Sequence, residues 1–158
     1  MSELFYFSGA IAAVATLLVV FQTNVVHALI YLVLSLLAIA SVFFSLGAPF
    51  VAVLEAIVYA GAIMVLFLFV VMMLNLGQAS RDQERVWLPS SIAVLPVVLA
   101  VALLWKLVES LPSVTILIEE VGAREVSVQL FGPYVLAVEL ASFLLLAGLI
   151  SAYHIAKR

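Results

Sequence analysis

Residues 50–75, FVAVLEAIVYAGAIMVLFLFVVMMLN, decide the fold of this chain. Almost every residue in the stretch is apolar, and roughly 20 apolar residues at a helical rise of about 1.5 Å cross the hydrocarbon core of a bilayer. The stretch therefore predicts a transmembrane helix over residues 50–74. Three residues inside it break the apolar pattern and are candidates for function: Glu55, Tyr59 and Gly61.

The composition of the whole chain is that of an integral membrane protein. Of its 158 residues, 68% are hydrophobic and 9% are charged, and the mean hydropathy is +1.39. Soluble domains have a much lower apolar share, so a single membrane domain over residues 1–158 is expected. The net charge of -3 is too small and too scattered to indicate a nucleic-acid partner. The absence of cysteine excludes disulfides and a cysteine nucleophile.

Five apolar segments predict an all-α membrane protein. Pro49 suits the start of the third helix, and Pro96 is expected to kink the fourth. Alternating apolar residues over 124–130 suit a short strand or a surface-lying segment. The five helices are predicted at about 4–20, 25–46, 50–74, 88–108 and 133–153.

The distribution of basic residues predicts the orientation. Cytoplasmic loops of membrane proteins carry an excess of Lys and Arg. With five spans, the loop 75–87 and the C-terminus share one side, which carries four cations against two on the other side. We therefore expect a periplasmic N-terminus and a cytoplasmic C-terminus. The four cations are Arg81, Arg85, Lys157 and Arg158, and the two are Lys106 and Arg124.

Glu55 lies inside a predicted span, where a carboxylate is costly and usually faces the bundle interior or a water-filled cavity on an ion path. It is interpreted as a protonatable relay group or as a carboxylate at the membrane interface. Tyr59, four residues on, shares its helical face and either extends a hydrogen-bond chain or simply packs. Gly61 costs about 1 kcal/mol relative to alanine, which requires a packing or conformational reason. A ridge of small residues beside them lets another helix approach closely: Ala52, Ala56 and Ala60.

Polar residues also interrupt two other predicted helices. Glu139 in the fifth is a proton-path candidate or, equally, a partner for a cation on another subunit. His27, Tyr31 and Ser35, spaced by four, form a polar seam toward a hydrated path or a helix interface held by hydrogen bonds. The chain has two histidines in total, which argues against a metal or haem site. No phosphate loop, metalloprotease or nucleophile-elbow motif occurs.

Three stretches resemble one family closely: EAIVYAGAIMVLFLF from Glu55, NVVHALIYL from Asn24 and LFGPYVLAVELAS from Leu130. They are similar to the J-type membrane subunit of bacterial proton-pumping NADH:quinone oxidoreductase, respiratory complex I, the counterpart of the mitochondrially encoded sixth subunit. The likeness covers nearly the whole chain and is greatest to gammaproteobacterial members. Val25 departs from the family, which usually has proline at this position, and the chain stops soon after the fifth helix.

This resemblance implies a role beyond anything that the residue spacing indicates. In the family, the third helix can carry a π-bulge, which here would lie between Tyr59 and Val65. A switch of this segment between α and π winding opens or closes a water path. Gly61 would ease the change, and the stretch from Phe67 to Met73 would rotate as a block. Glu55 and Glu139 would be members of a buried chain of charged groups that carries protons.

The resemblance also implies what surrounds the chain. NADH, FMN, iron–sulfur clusters and quinone would be bound by other subunits, and this chain would bind no cofactor and no metal. Its partners would be quinone-module subunits, antiporter-like subunits and lipid in the bacterial inner membrane. The alternatives are a purely structural scaffold subunit, or a component of a related cation/proton antiporter or ferredoxin-dependent complex. A standalone transporter is a weaker alternative, because no inverted repeat is visible.

Overall fold

The computed structural model describes residues 2–22, 25–73, 91–110 and 121–157. All regular structure in these ranges is helical, so the all-α prediction is confirmed for the part of the chain that the structure describes. The helices are α1 Ser2–Phe21, α2 Val25–Ser45, α3 Pro49–Met73, α4 Ser91–Ser110, α5 Ala123–Phe131 and α6 Val135–Ala156.

Four of these helices are long and apolar enough to cross a membrane: α1, α2, α3 and α6. The fifth predicted span corresponds to α4, which is 20 residues long and continues across Pro96. The expected kink at Pro96 stays a prediction.

The chain divides into two compact units, Met1–Glu120 and Val121–Arg158. In the first unit α2 is central, because it contacts α1, α3 and α4, and α1 also contacts α4. In the second unit α5 contacts α6, and neither helix has a buried residue. The expectation of a single membrane domain stays a prediction. The core of the first unit consists of Ile11, Ala15, Leu34, Ala38 and Leu103.

The turn between α2 and α3 follows directly from its sequence. The amide of Ala48 donates to the Phe43 carbonyl and the amide of Gly47 to the Phe44 carbonyl, both at 3.1 Å. This pair of bonds is a Schellman motif, which places one residue in the left-handed region. Gly47 has φ 79°, a value that glycine adopts without steric cost. Pro49 then occupies the first turn of α3, as predicted.

Hydrogen bonds join α1 to α2 in the middle of their interface. The Thr16 Oγ1 and Ser35 Oγ atoms lie 2.7 Å apart. Ser35 also donates to the Ala12 carbonyl at 3.2 Å, and Thr16 donates to the same carbonyl at 2.8 Å. Tyr31 and Ser35 are 1% and 2% exposed. At Ser35, therefore, the polar seam of α2 is a helix interface held by hydrogen bonds.

The strand alternative for residues 124–130 is wrong, because these residues lie in α5. Gly122, with φ -82° and ψ 178°, is extended immediately before the helix. Arg124, Gln129 and Leu130 are good helix formers, and an alternation this short does not outweigh their preference. The surface-lying alternative stays a prediction.

Several sequence predictions fall outside the described residues. They include the loop 75–87 with Arg81 and Arg85, the acidic residues Glu119 and Glu120, and Arg158. The predicted orientation rests on six cations, four of which were assigned to the cytoplasmic side. Of these four, which are Arg81, Arg85, Lys157 and Arg158, only Lys157 lies in the described ranges. The predicted orientation therefore stays a prediction.

Candidate functional site

The backbone of α3 changes its winding in the middle. It is α-helical over Pro49–Leu54, π-helical over Glu55–Ile63 and α-helical again over Met64–Met73. At the end of the π segment, the amide of Met64 donates to the carbonyl of Tyr59, five residues back. This i→i−5 bond defines π winding, which is rare and often occurs at functional sites.

The resemblance placed the altered winding between Tyr59 and Val65, whereas the structure has it over Glu55–Ile63. The two ranges overlap from Tyr59 to Ile63. Val65 therefore lies in the α-helical segment, and Glu55 lies at the start of the π segment.

Gly61 has a conformational reason to be glycine. A Cβ atom at this position would lie 3.3 Å from the carbonyl oxygen of Ala56, tighter than ordinary van der Waals contact. Ala56 is five residues back, the position to which π winding directs hydrogen bonds. A side chain at residue 61 would therefore press on the backbone of the π form.

The small-residue ridge of α3 is its buried face. Ala52 and Ala60, each 7% exposed, are the buried residues of α3. The neighbouring helix is α2, which contacts both the first α-helical segment and the π segment. Because lipid tails are as apolar as leucine side chains, membrane helices associate through close packing, which alanine permits. The predicted ridge is confirmed at these two positions, and Ala56 between them is half-buried.

Glu55 and Tyr59 lie at the surface of this chain. Glu55 is half-buried and Tyr59 is 53% exposed. Among the described residues, none forms a hydrogen bond or an ion pair with the Glu55 carboxylate. A carboxylate inside a membrane span needs a partner. For Glu55 this partner must come from water, from another subunit or from residues outside the described ranges.

The segment Met64–Met73 has no buried side chain. Val65 and Phe67 are both largely exposed. In the described part of the chain, this end of α3 is therefore held less firmly than the end that carries Ala52 and Ala60.

Glu139 is exposed on α6 in the second unit. Its neighbour Ser142 donates to the Val138 carbonyl at 3.0 Å, so the helix itself uses this hydroxyl proton. The described residues of the chain provide no hydrogen bond or ion pair to the Glu139 carboxylate. They also contain no group of three potential metal ligands among His, Asp and Glu.

Sequence reasoning found one side of a polar contact between helices and missed one cluster of charges. Ser35 was named as a possible interface residue, but its partner Thr16 was not, because the only signal of Thr16 was a hydroxyl in an apolar run. In the charge cluster, Lys106 Nζ lies 3.0 Å from Glu109 Oε2 and 3.9 Å from Glu3 Oε2. The i,i+3 spacing of Lys106 and Glu109 indicates half of that cluster, but no local pattern indicates Glu3.

The fold and this site define a small helical membrane protein whose third helix is unusual in its backbone winding. Comparison with known families is consistent with that class. The model of the family described as NADH-ubiquinone/plastoquinone oxidoreductase chain 6 matches residues 15–155. Since this match covers most of the chain, the protein belongs to that family.

Curated relatives agree over nearly the full length. A protein named NADH-quinone oxidoreductase subunit J from Pseudomonas aeruginosa is 56% identical over 162 residues, covering 100% of this chain and 98% of the relative. The protein of the same name from Escherichia coli K12 is 54% identical, covering 99% and 87%. One from Buchnera aphidicola of Schizaphis graminum is 43% identical, covering 99% and 98%. The resemblance to J-type subunits of NADH:quinone oxidoreductase is thereby confirmed.

Proposed function

We propose that this chain couples quinone reduction to proton translocation as a non-catalytic membrane subunit of a bacterial NADH:quinone oxidoreductase, with α3 as a conformational gate. The names of the relatives support the assignment to this complex. The observation that carries the gating role is the π-helical segment Glu55–Ile63 in the middle of a 25-residue apolar helix.

Conversion of the π segment to α winding would change the helical register. A change of the register by one residue rotates the helix beyond that point by roughly 100° and shifts it by about 1.5 Å along the axis. The segment Met64–Met73 would turn as a block and redirect Val65 and Phe67. Because this block has no fully buried side chain, turning it disturbs less packing within the described chain than turning the part of α3 that carries the buried alanines. Ala52, which is buried and precedes the π segment, would meanwhile hold the start of α3.

Glu55 is the proposed proton carrier beside the gate. It lies at the first residue of the π segment, so a change of winding alters the direction of its carboxylate relative to Tyr59. In its charged form it would pair with a cation or with water, and it would take up a proton when the gate withdraws that partner. Glu139 on α6 is the second proposed carrier.

We further propose that α4 is the fifth span. Leu103 of α4 belongs to the apolar cluster with Ile11 and Leu34, and Lys106 lies beside Glu3. The C-terminal end of α4 therefore lies next to the N-terminal end of α1. Five spans then place the two termini on opposite sides, and the distribution of basic residues gives a periplasmic N-terminus and a cytoplasmic C-terminus in the inner membrane. NADH, FMN, iron–sulfur clusters and quinone would be bound by partner subunits.

The test is Gly61→Val in the intact complex, with Gly61→Ala as a smaller change. Gly9→Val is the matched control, because a Cβ atom on Gly9 has no neighbour within 4 Å. We would measure the amount of assembled complex, NADH:quinone turnover and proton pumping. Gly61→Val is expected to assemble and to lose at least tenfold in turnover or pumping, since the larger side chain disfavours the π form. Full activity in an assembled Gly61→Val complex would contradict the gating role.

A scaffold role is the second candidate, because polar contacts between α1 and α2 fix the register of this helix pair. It predicts that assembly depends on helix packing and that neutral replacements of the carboxylates leave pumping intact. The two roles therefore differ in the response to Glu55→Gln.

A further inference from the structure

Ser8 carries a fully buried hydroxyl that has no hydrogen-bond partner in the described part of the chain. Its side chain is 0% exposed, and it lies on the buried face of α1 with Leu4, Ile11 and Ala15. Within the described ranges, the Ser8 Oγ atom has no hydrogen-bond partner. Buried polar groups in native structures are almost always bonded to protein atoms or to ordered water.

Several other helical hydroxyls in this chain donate to a carbonyl of their own helix. Five of them donate to the carbonyl four residues back, at 2.7 to 3.0 Å, which is the usual arrangement for Ser and Thr inside helices. Ser8 makes no such bond to the carbonyl of Leu4. Its hydroxyl, on the buried face of α1, is therefore available to a partner in the helix interface. The five hydroxyls are Thr16, Ser41, Ser110, Ser127 and Ser142.

The pairing of α1 with α2 places another buried serine at the same level as Ser8. Ser35 contacts both Ala12 and Thr16, so it lies opposite the midpoint of these two residues, position 14. The two helices run in opposite directions, because a short connection joins them. Counting six residues from position 14 toward the N-terminus of α1 gives Ser8. Counting six residues from Ser35 toward the C-terminus of α2 gives Ser41, so the two serines lie at the same level of the helix pair.

Ser41 is able to share a ligand with Ser8. It is 6% exposed and follows Leu34 and Ala38, two core residues, at helical spacing on α2. Its hydroxyl proton is donated to the Leu37 carbonyl at 3.0 Å, so the lone pairs of its oxygen are free to accept a hydrogen bond. Ala38, between the two helices, leaves more room than a larger side chain would.

We propose that Ser8 and Ser41 bind one ordered water molecule between α1 and α2. The water donates a proton to Ser41 Oγ and exchanges a hydrogen bond with Ser8 Oγ, which supplies two of the two to four polar partners that buried waters have. The α1–α2 pair is then joined by polar contacts at two levels, about 9 Å apart along the helices at 1.5 Å per residue. One contact is direct, through Thr16 and Ser35, and the other is mediated by water. This inference does not depend on the proposed gating role.

The experiment is electron cryo-microscopy of the assembled complex at a resolution that shows ordered waters, for the wild type and for Ser8→Ala. We expect a density peak within hydrogen-bond distance of both Ser8 Oγ and Ser41 Oγ in the wild type. In Ser8→Ala the peak should be lost while the helix positions are unchanged. Thr16→Val is the matched control, which removes a hydroxyl two turns away and should retain the peak.

Two results would overturn the proposal. One is a wild-type map without a peak at this position and with the Ser8 hydroxyl bonded to the Leu4 carbonyl. The other is a peak that persists unchanged in Ser8→Ala. If Ser8→Ala does not assemble, the wild-type map decides alone.

Discussion

The hydroxyl oxygens of Thr16 and Ser35 lie 2.7 Å apart across the interface between α1 and α2, and both hydroxyls also reach the carbonyl of Ala12. Two hydroxyl protons thus serve three contacts. Hydrogen bonds between membrane helices contribute about 0.6 kcal/mol on average and up to about 1.7 kcal/mol. The contact therefore fixes the register of the helix pair more than it determines total stability.

Removing this contact should cost little but should do so in a non-additive way. Thr16→Val and Ser35→Ala are each expected to destabilise the helix pair by about 0.6 to 1.7 kcal/mol. The double variant should cost less than the sum of the two single variants, because both changes remove the shared Thr16–Ser35 bond, while each also removes its own bond to the Ala12 carbonyl. The measurement is the loss of assembled complex on heating in detergent. Fully additive losses would show that the two hydroxyls act independently.

Among the described glycines of the first unit, Gly47 should be the least replaceable for assembly. Its φ of 79° lies in the left-handed region, which costs other residues roughly 1–2 kcal/mol. Gly47→Ala should therefore reduce the amount of assembled complex, and Gly47→Asn should reduce it less, because asparagine tolerates this conformation better. Gly9→Ala is the control, since a Cβ atom there meets no neighbour. Equal losses for Gly47→Ala and Gly9→Ala would contradict the argument.

The sequence predicted those parts of the fold that rest on local chemistry. Pro49 marked the start of α3, and the alanines of α3 marked its buried face. The start of the π segment at Glu55 was not predictable, because it depends on a choice between two hydrogen-bond registers that the same residues can adopt. The strand alternative for 124–130 failed because alternation over a few residues is a weaker signal than helix propensity. Among the site residues, Glu55 was recognisable as a carboxylate inside an apolar run, but the described part of the chain contains no partner for it.

The carboxylates distinguish the gating role from the scaffold role. Glu55→Gln removes the titratable group with almost no change in volume, so assembly should be preserved and pumping should fall about tenfold or more if Glu55 carries protons. Glu55→Asp should retain part of the activity. Glu139→Gln is the parallel test for α6, and Glu3→Gln, at the exposed end of α1, is the control. Normal pumping in both Glu55→Gln and Glu139→Gln would support a scaffold.

Gly132 should resist substitution for a steric reason. A Cβ atom at this position would lie 2.7 Å from the carbonyl oxygen of Val128, closer than real Cβ atoms approach. Gly132→Ala must therefore shift the turn between α5 and α6, and we expect a lower amount of assembled complex. Gly148→Ala on α6 is the control, because its Cβ atom meets no atom within 4 Å. The comparison is made on membranes by quantifying the subunit in the intact complex, and equal amounts for the two variants would contradict this steric argument.

The position of α4 can be tested by labelling, because the chain contains no cysteine and single cysteines can be introduced without background in this subunit. Lys106 contacts both Glu3 and Glu109, so Glu3→Cys and Glu109→Cys should react with a membrane-impermeant maleimide from the same side, the periplasm. Gln22→Cys follows the opposite end of α1 and should react from the cytoplasm. If α6 spans the membrane with its C-terminus inside, Lys157→Cys should react from the cytoplasm as well. Labelling of Glu109→Cys from the same side as Gln22→Cys would contradict the placement of α4 as a span beside α1. Labelling of Lys157→Cys from the periplasm would contradict the proposed orientation of α6 and leave the arrangement of α1 and α4 intact.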